Sequence, residues 1–462
     1  MKPPKGAKIY PLTHSQGAIR YMWKYSVHRQ SSQIPCSVAF EEELDFRLLA
    51  RAVNIEIERN DCLRLRLFRD ERLDLKQFFL DEYKLDKILV KEFSSKQEQE
   101  KYFDEESSKA LNVYGGETFK FIFFRTGGKS GIYIKTTHMV MDFLAIFILF
   151  KDLLSVYDSL KNGTPMPRPL AKYEEVMIKE QTGDAYREKA EKDTEVIEEL
   201  FRKDGIRPFY NALNGPKVLD WQEKLLHNKN LNMPFIHSPF NDSTHLLKIP
   251  LSEEASREIG EFIRENNLSP EWVIQLGFRI YLSKMNRNTN DTVFWTLCPR
   301  RRTVKEKRCG GTLASILPWR EILGNDTSFI DTVMQISGTQ AMLFRHSDVP
   351  FARVRSMERK NFGLSLVQTA CSMMFSYLPS REDFFENRQY EFSAYNFGHY
   401  TMPLYVLTMQ SPSTGNFVFS YLHRTLITKD KEVYDFHEGV VRAILVGIRN
   451  PQKTIGEILE EI

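Results

Sequence analysis

His138 and Asp142 stand four residues apart in a segment whose composition changes abruptly around them. Residues 132–137 alternate toward the histidine, and an apolar run begins immediately after the aspartate. An imidazole at a strand end can accept a proton from an attacking amine or hydroxyl. A carboxylate four residues on can brace the loop that presents it. Windows of this kind also arise by chance, and each residue has a bland reading. Asp142 can be an N-cap that accepts backbone N–H bonds and opposes the helix dipole. His138 can be a strand-end histidine bonded to a carbonyl. Elsewhere, His14, His399, His423 and His437 have no partner at a telling spacing, and His346 in His346-Ser347-Asp348-Val349-Pro350-Phe351 reads as a turn-shaping residue. Gly363-Leu364-Ser365-Leu366 lacks the second glycine of a nucleophile elbow. No metal, nucleotide or flavin pattern is present.

The elements that must position the pair are legible from periodicity. Residues 119–125 and 131–137 read as two strands joined at Thr126-Gly127-Gly128-Lys129-Ser130. That turn lacks a leading glycine and does not open a helix, which excludes a phosphate loop. From Phe143 the apolar positions fall at helical spacing, and the pattern stops at Asn162-Gly163-Thr164-Pro165. Thr13 precedes a further helix, residues 44–59 form another with Asp45 near its start, and residues 63–67 alternate as a strand. Residues 172–202 read as one charged linking helix, and 203–245 as loop-rich. A second mixed series runs from Ile249, which places a boundary near 165–180.

A chain of 462 residues with 42% hydrophobic content has enough apolar surface for two cores. Its formal charge of +3 on 27% charged residues makes it balanced, so nucleic acid is not an expected partner. The five cysteines, Cys36, Cys62, Cys298, Cys309 and Cys371, are scattered and read as reduced thiols. The basic N-terminus has no apolar segment behind it, and the run 143–150 is far shorter than the roughly 20 residues a bilayer span needs. The expectation is a cytoplasmic protein.

Several separated segments together resemble the condensation domains of nonribosomal peptide synthetases, acyltransferases of the chloramphenicol-acetyltransferase-like superfamily. Pro11-Leu12-Thr13-His14-Ser15-Gln16 is similar to that family's opening Pro-Leu-Thr/Ser-x-x-Gln. Residues 59–67 resemble its Arg-His-Glu-x-Leu-Arg-Thr-x-Phe motif. Thr137 to Phe143 falls where the His-His-x-x-x-Asp-Gly signature belongs, and Tyr173-Glu174-Glu175 resembles the Tyr-x-Asp motif that follows. Residues 293–301, 311–320, 346–351 and 373–377 continue the resemblance in family order. The match to His-Gln-Asp-Val-Pro-Phe at 346–351 is the most specific.

The resemblance implies an α/β fold of two acetyltransferase-like lobes in a V, residues 1–172 and 173–462, with a tunnel between them. It makes His138 the catalytic histidine and Asp142 the aspartate held by an arginine of the second lobe. Arg301 aligns best, with Arg300 and Arg302 as alternatives. Arg64 and Arg301 are implied structural supports, and Thr137, Phe143 and Ser315 substrate-facing positions. Thr137 replaces the signature's first histidine, Phe143 its glycine, and Ser315 the asparagine of a later motif. A phenylalanine in place of glycine is expected to narrow the acceptor side or reshape the helix start. The implied reaction joins a carrier-bound acyl or aminoacyl thioester to an amine or alcohol. No intrinsic cofactor is implied, because phosphopantetheine arrives on a carrier protein. The chain ends where the two lobes end, so a free-standing monomer working in trans is expected. The rival readings are a coenzyme A-dependent acyltransferase, which a basic tunnel mouth at residues 300–308 would support, and a silent module that recruits a carrier protein or enzyme.

Overall fold

A computed structural model describes residues 1–202, 213, 235–236, 240, 242–286, 288–365, 368–369, 373–379, 385 and 388–462. Most of the stretch expected to be loop-rich, and Cys371, lie outside these. The first sheet is built around the anticipated hairpin, Phe119–Thr126 and Lys129–Thr137, with Ile132 opposite Phe123. Gly127 and Gly128 both take positive φ, which suits a two-residue turn matched to the twist of the strands. Gln33–Phe40 pairs on the other side of Lys129–Thr137, and Leu89–Phe93 forms one edge of the sheet. The opposite edge is Tyr390–Ala394, a strand from the C-terminal half that pairs antiparallel with Gln33–Phe40. The C-terminal half therefore completes the N-terminal lobe's sheet.

Phe46–Arg59 and Phe143–Asn162 pack on this sheet through Leu49, Val53, Ile57, Ile146, Phe150 and Leu153, all buried in one core. Asp45 caps the first helix, accepting from the Arg47 and Leu48 N–H groups. The strand expected at residue 63 starts at Leu65, because Asn60 accepts from the Cys62 N–H and holds a 3₁₀ turn over Asp61–Arg64. The second sheet has the order Ser315–Ile322, Asp291–Cys298, Met373–Leu378, Leu404–Gln410, Phe417–Arg424, Thr244–Pro250. Its core joins Phe294, Trp319 and Phe375 to the helices Pro270–Met285 and Asp430–Arg449.

The linking segment differs from its expected form. It is two helices, Tyr173–Thr182 and Asp184–Arg202, broken at Gly183. The opening helix His14–Met22 is tied by a capping box between Thr13 and Gln16. Its Ala18 packs with Trp295, Ile316, Phe351 and Met374 of the C-terminal half. Residues from both ends of the chain thus wall the space between the sheets. No helix among the described residues is long and apolar enough to cross a membrane.

Candidate active site

The loop 138–142 leaves the strand Lys129–Thr137 and enters the helix Phe143–Asn162, and both lobes grip it. The His138 N–H donates to the Ser32 carbonyl at 2.7 Å, and its own carbonyl accepts from Thr312 Oγ1 at 2.5 Å. Gln16 Nε2 donates to the Met139 carbonyl at 2.8 Å, which gives the opening Pro-Leu-Thr-x-x-Gln segment its structural purpose. His138 is half-buried. Its side chain borders a cavity of about 360 Å³. Burial pushes its pKa down to about 4, with the Asp142 charge opposing the shift. The imidazole is therefore neutral near pH 7. Among the described residues, none hydrogen-bonds the ring.

Asp142 fulfils the bland and the specific expectation together. Its Oδ1 caps the helix by accepting from the Ala145 N–H at 2.8 Å and also accepts from Arg301 Nη2 at 2.8 Å. Its Oδ2 accepts from the Leu313 and Ala314 N–H groups at 2.8 and 3.1 Å. Burial alone would raise this carboxyl. The Arg301 charge and the N–H groups of Leu313 and Ala145 outweigh burial and hold it below the usual carboxylate range. Arg301 is fixed in turn by the carbonyls of Glu306, Cys309 and Gly311. Gly311 is required because the Tyr173 ring lies against its backbone; a Cβ there would fall 2.1 Å from that ring.

The three neighbouring arginines separate cleanly. Arg301 holds Asp142, whereas Arg300 bonds Asp348 at 2.9 Å and Glu180 at 2.9 Å, and Arg302 bonds Asp348 at 2.8 Å. Lys305 pairs with Glu175, and Arg308 donates to the carbonyls of Arg168 and Pro169. Burial of Arg300 and Arg301 is inconsistent with a wholly solvated loop. His346 sits 2.9 Å from Asp193, which also accepts from the Asp348 N–H, so this motif does serve a turn. Arg64 donates to the carbonyls of Ile57, Glu58 and Leu80, a supporting arrangement.

The residues expected to face substrate divide. Phe143 borders the cavity, but it begins a regular helix without reshaping its start, and its ring packs on Phe147 and Phe392 at 5.6 and 5.4 Å. Thr137 is buried off the cavity, its hydroxyl accepting from the Met139 N–H at 3.3 Å. Ser315 is also buried off the lining, while Ala314 and Ile316 on either side border it. Successive residues of an extended chain point to opposite faces, and Ser315 has the outward parity. The cavity is otherwise walled by apolar and aromatic residues of both lobes, among them Ile19, Leu144, Leu297, Phe344, Tyr400 and Leu422.

Glu271, which sequence reading did not single out, also borders the cavity. Two further clusters escaped notice because each draws at least one member from a distant part of the chain. His28 and His399 stack at 3.6 Å and both approach Asp242 Oδ1, at 2.8 and 2.9 Å. His245 and His423 share Asp430 at 2.9 and 3.0 Å. Each set brings together donor types suited to a metal ion, and none of these residues is on the cavity lining. Cys36, Cys62, Cys298 and Cys309 are buried and free, their thiols pushed up by burial.

Residues 6–195, which include the whole His138 loop, match the family model described as Condensation domain. One of the plipastatin synthase proteins of Bacillus subtilis (strain 168) is 21% identical over 462 residues, covering 97% of this chain and 17% of that protein. Surfactin synthase subunit 1 of the same strain is 22% identical over 356 residues, covering 74% of this chain and 9% of that protein. The chain thus spans less than a fifth of the length of these relatives. The first condensation domain of the calcium-dependent antibiotic synthetase, solved with a substrate analogue, has a TM-score of 0.80 at 16% identity, covering 97% of this chain and 98% of its own. A mutant starter condensation domain of rhizomide synthetase, solved with C8-CoA, has a TM-score of 0.78 at 12% identity, covering 97% of both chains. The chain is thus similar to condensation domains in two respects: residues 6–195, with the His138 loop, match the family model, and the two-lobe fold of the solved condensation domains extends over 97% of the chain.

Proposed function

We propose that this chain transfers an acyl or aminoacyl group from a carrier-protein phosphopantetheine thioester to an amine or alcohol. The acceptor nitrogen or oxygen attacks the thioester carbonyl beside His138. The new C–N or C–O bond forms, the C–S bond breaks, and the acceptor's proton ends on the departing thiol. The observation that carries this reading is a neutral imidazole with no protein partner among the described residues, on a cavity walled by both lobes. Such a ring can orient the acceptor and hold its proton in passing. A thioester is already activated, so alignment of two tethered reactants supplies much of the acceleration. Asp142, Arg301 and Arg64 act as supports, and Phe143 borders the acceptor side. A monomeric, cytoplasmic enzyme is part of the same proposal.

Support for a carrier protein over coenzyme A comes from the basic segment 300–308. Arg300 and Arg301 are buried and paired with carboxylates, which leaves those two cations committed and not free for the coenzyme's phosphates. Retention of His138 together with the complete set of Asp142 contacts speaks for catalysis over silent recruitment. Intact-protein mass spectrometry tests the reading, with acyl-loaded carrier proteins, acyl-coenzyme A and a panel of amines and alcohols offered to wild type and His138→Ala. Product that depends on His138 and consumes the carrier-bound donor is expected. Carrier binding without turnover would transfer the reading to a recruitment module.

A further inference from the structure

Among the cavity's described lining residues there is no lysine or arginine, and the carboxylates are Asp142 and Glu271. Asp142 accepts four donors, which fills its two oxygens. Glu271 is different. It follows the N-cap Ser269 at the start of Pro270–Met285, its Oε1 accepts a long 3.4 Å contact from Gln275 Nε2, and the Gln340 amide also faces it. Among the described residues, no lysine, arginine or histidine lies within ion-pair distance of it. Burial pushes its carboxyl up to about 7, with the Gln340 side chain opposing. A glutamine would fill the same volume without that cost.

We propose that Glu271 is the selectivity residue of this cavity and reads a protonated amine on one substrate, such as the side chain of a diamino acid or one end of a diamine. The inference rests on the acyl-transfer reading for which substrate carries the group, though not for the binding itself. An ammonium supplies the missing charge partner inside an apolar wall, where the attraction is strong. A hydrocarbon leaves the carboxylate unpaired, and an anion is repelled. The ammonium held by Glu271 has no lone pair and cannot be the nucleophile. The attacking group is therefore a second amine or hydroxyl, or the ammonium belongs to the donor.

Two assays with wild type and Glu271→Gln test this. In the first, lysyl or ornithyl substrates compete with norleucyl and glutamyl counterparts, each as donor and as acceptor. Wild type is expected to favour the cation at least tenfold over norleucyl, and the variant to lose at least tenfold of that ratio. In the second, calorimetry compares 1,6-diaminohexane with 1-hexanol, and the diamine preference is expected to vanish in the variant. A binding preference without transfer of any substrate would uphold Glu271 and overturn the acyl-transfer reading. Equal ratios for both proteins in both assays would overturn the Glu271 proposal. If the variant does not fold, wild-type binding at pH 6 and 8 decides. Tyr377 and Cys298, the titratable neighbours coupled to Glu271, are both held neutral by burial. The diamine preference should then rise with pH, and a flat or absent preference overturns the proposal.

Discussion

Asp142 and Glu271 are both carboxylates at the start of a helix and both border one cavity, yet their ionisation is pushed in opposite directions. The helix dipole favours each to a similar degree. What separates them is the count of donors. Asp142 faces a guanidinium and three backbone N–H groups, and stays ionised despite burial. Glu271 faces amides alone, and burial prevails. A carboxylate saturated by its own protein is architectural, because nothing is left for a ligand to bond. One that lacks partners leaves room for a ligand to supply them.

The sharpest way to break this contrast is Asp142→Ala. The substitution leaves Arg301 buried without its counter-charge and three backbone N–H donors without their acceptor, for a cost of about 3–5 kcal/mol. Thermal melts should show the largest fall of any substitution at the site, and transfer should be lost with it. A melting temperature within a degree of wild type would mean that the saturated carboxylate is not architectural. His138→Ala comes next. It removes a ring that hydrogen-bonds none of the described residues, so transfer should fall by about 10²–10⁴-fold while melting changes far less. A variant that melts below Asp142→Ala would reverse the division of roles.

What the sequence revealed and what it hid follow a physical pattern. Helix ends were readable where a cap is local: Thr13 with Gln16, Asp45, and Asp142 all act within three residues of themselves. The Asp142–Arg301 pair, 159 residues apart, was reached through motif resemblance, because spacing carries no such information. The His28–Asp242–His399 cluster has separations of 214 and 157 residues and no motif to announce it. Thr137 and Ser315 were misplaced because resemblance gives position along a strand, whereas parity decides which face looks into the cavity. Glu271 drew no notice, because no motif contains it. Its significance depends on burial, which the fold alone reveals.

Phe143→Gly probes the cavity wall beside Asp142. Loss of the contacts to Phe147 and Phe392 should cost about 2 kcal/mol, at about 0.5–1.5 kcal/mol per aromatic pair beyond area burial. The space opened beside His138 should admit bulkier acceptors in the mass-spectrometric panel. An unchanged acceptor profile with the same loss of stability would assign the ring to packing alone.

The smallest effect is one of pH, and its sign separates His138 from Asp142. The folded-state pKa of His138 lies near 4, below the usual 6.5. Between those values the unfolded chain binds a proton that the folded chain does not, so acidification through this window destabilises the fold. Replacing His138 by alanine removes that contribution. The melting-temperature difference between His138→Ala and wild type should therefore move in the variant's favour as pH falls from 7 to 5. Asp142 contributes nothing to this trend. Its folded pKa lies below 3.8, so its stabilisation is complete above that value and is lost only at lower pH. A difference that stays constant from pH 7 to 5 would mean that His138 takes up its proton in the fold as readily as in the unfolded chain. The neutral base on which acyl transfer depends would then be absent below about pH 6.5.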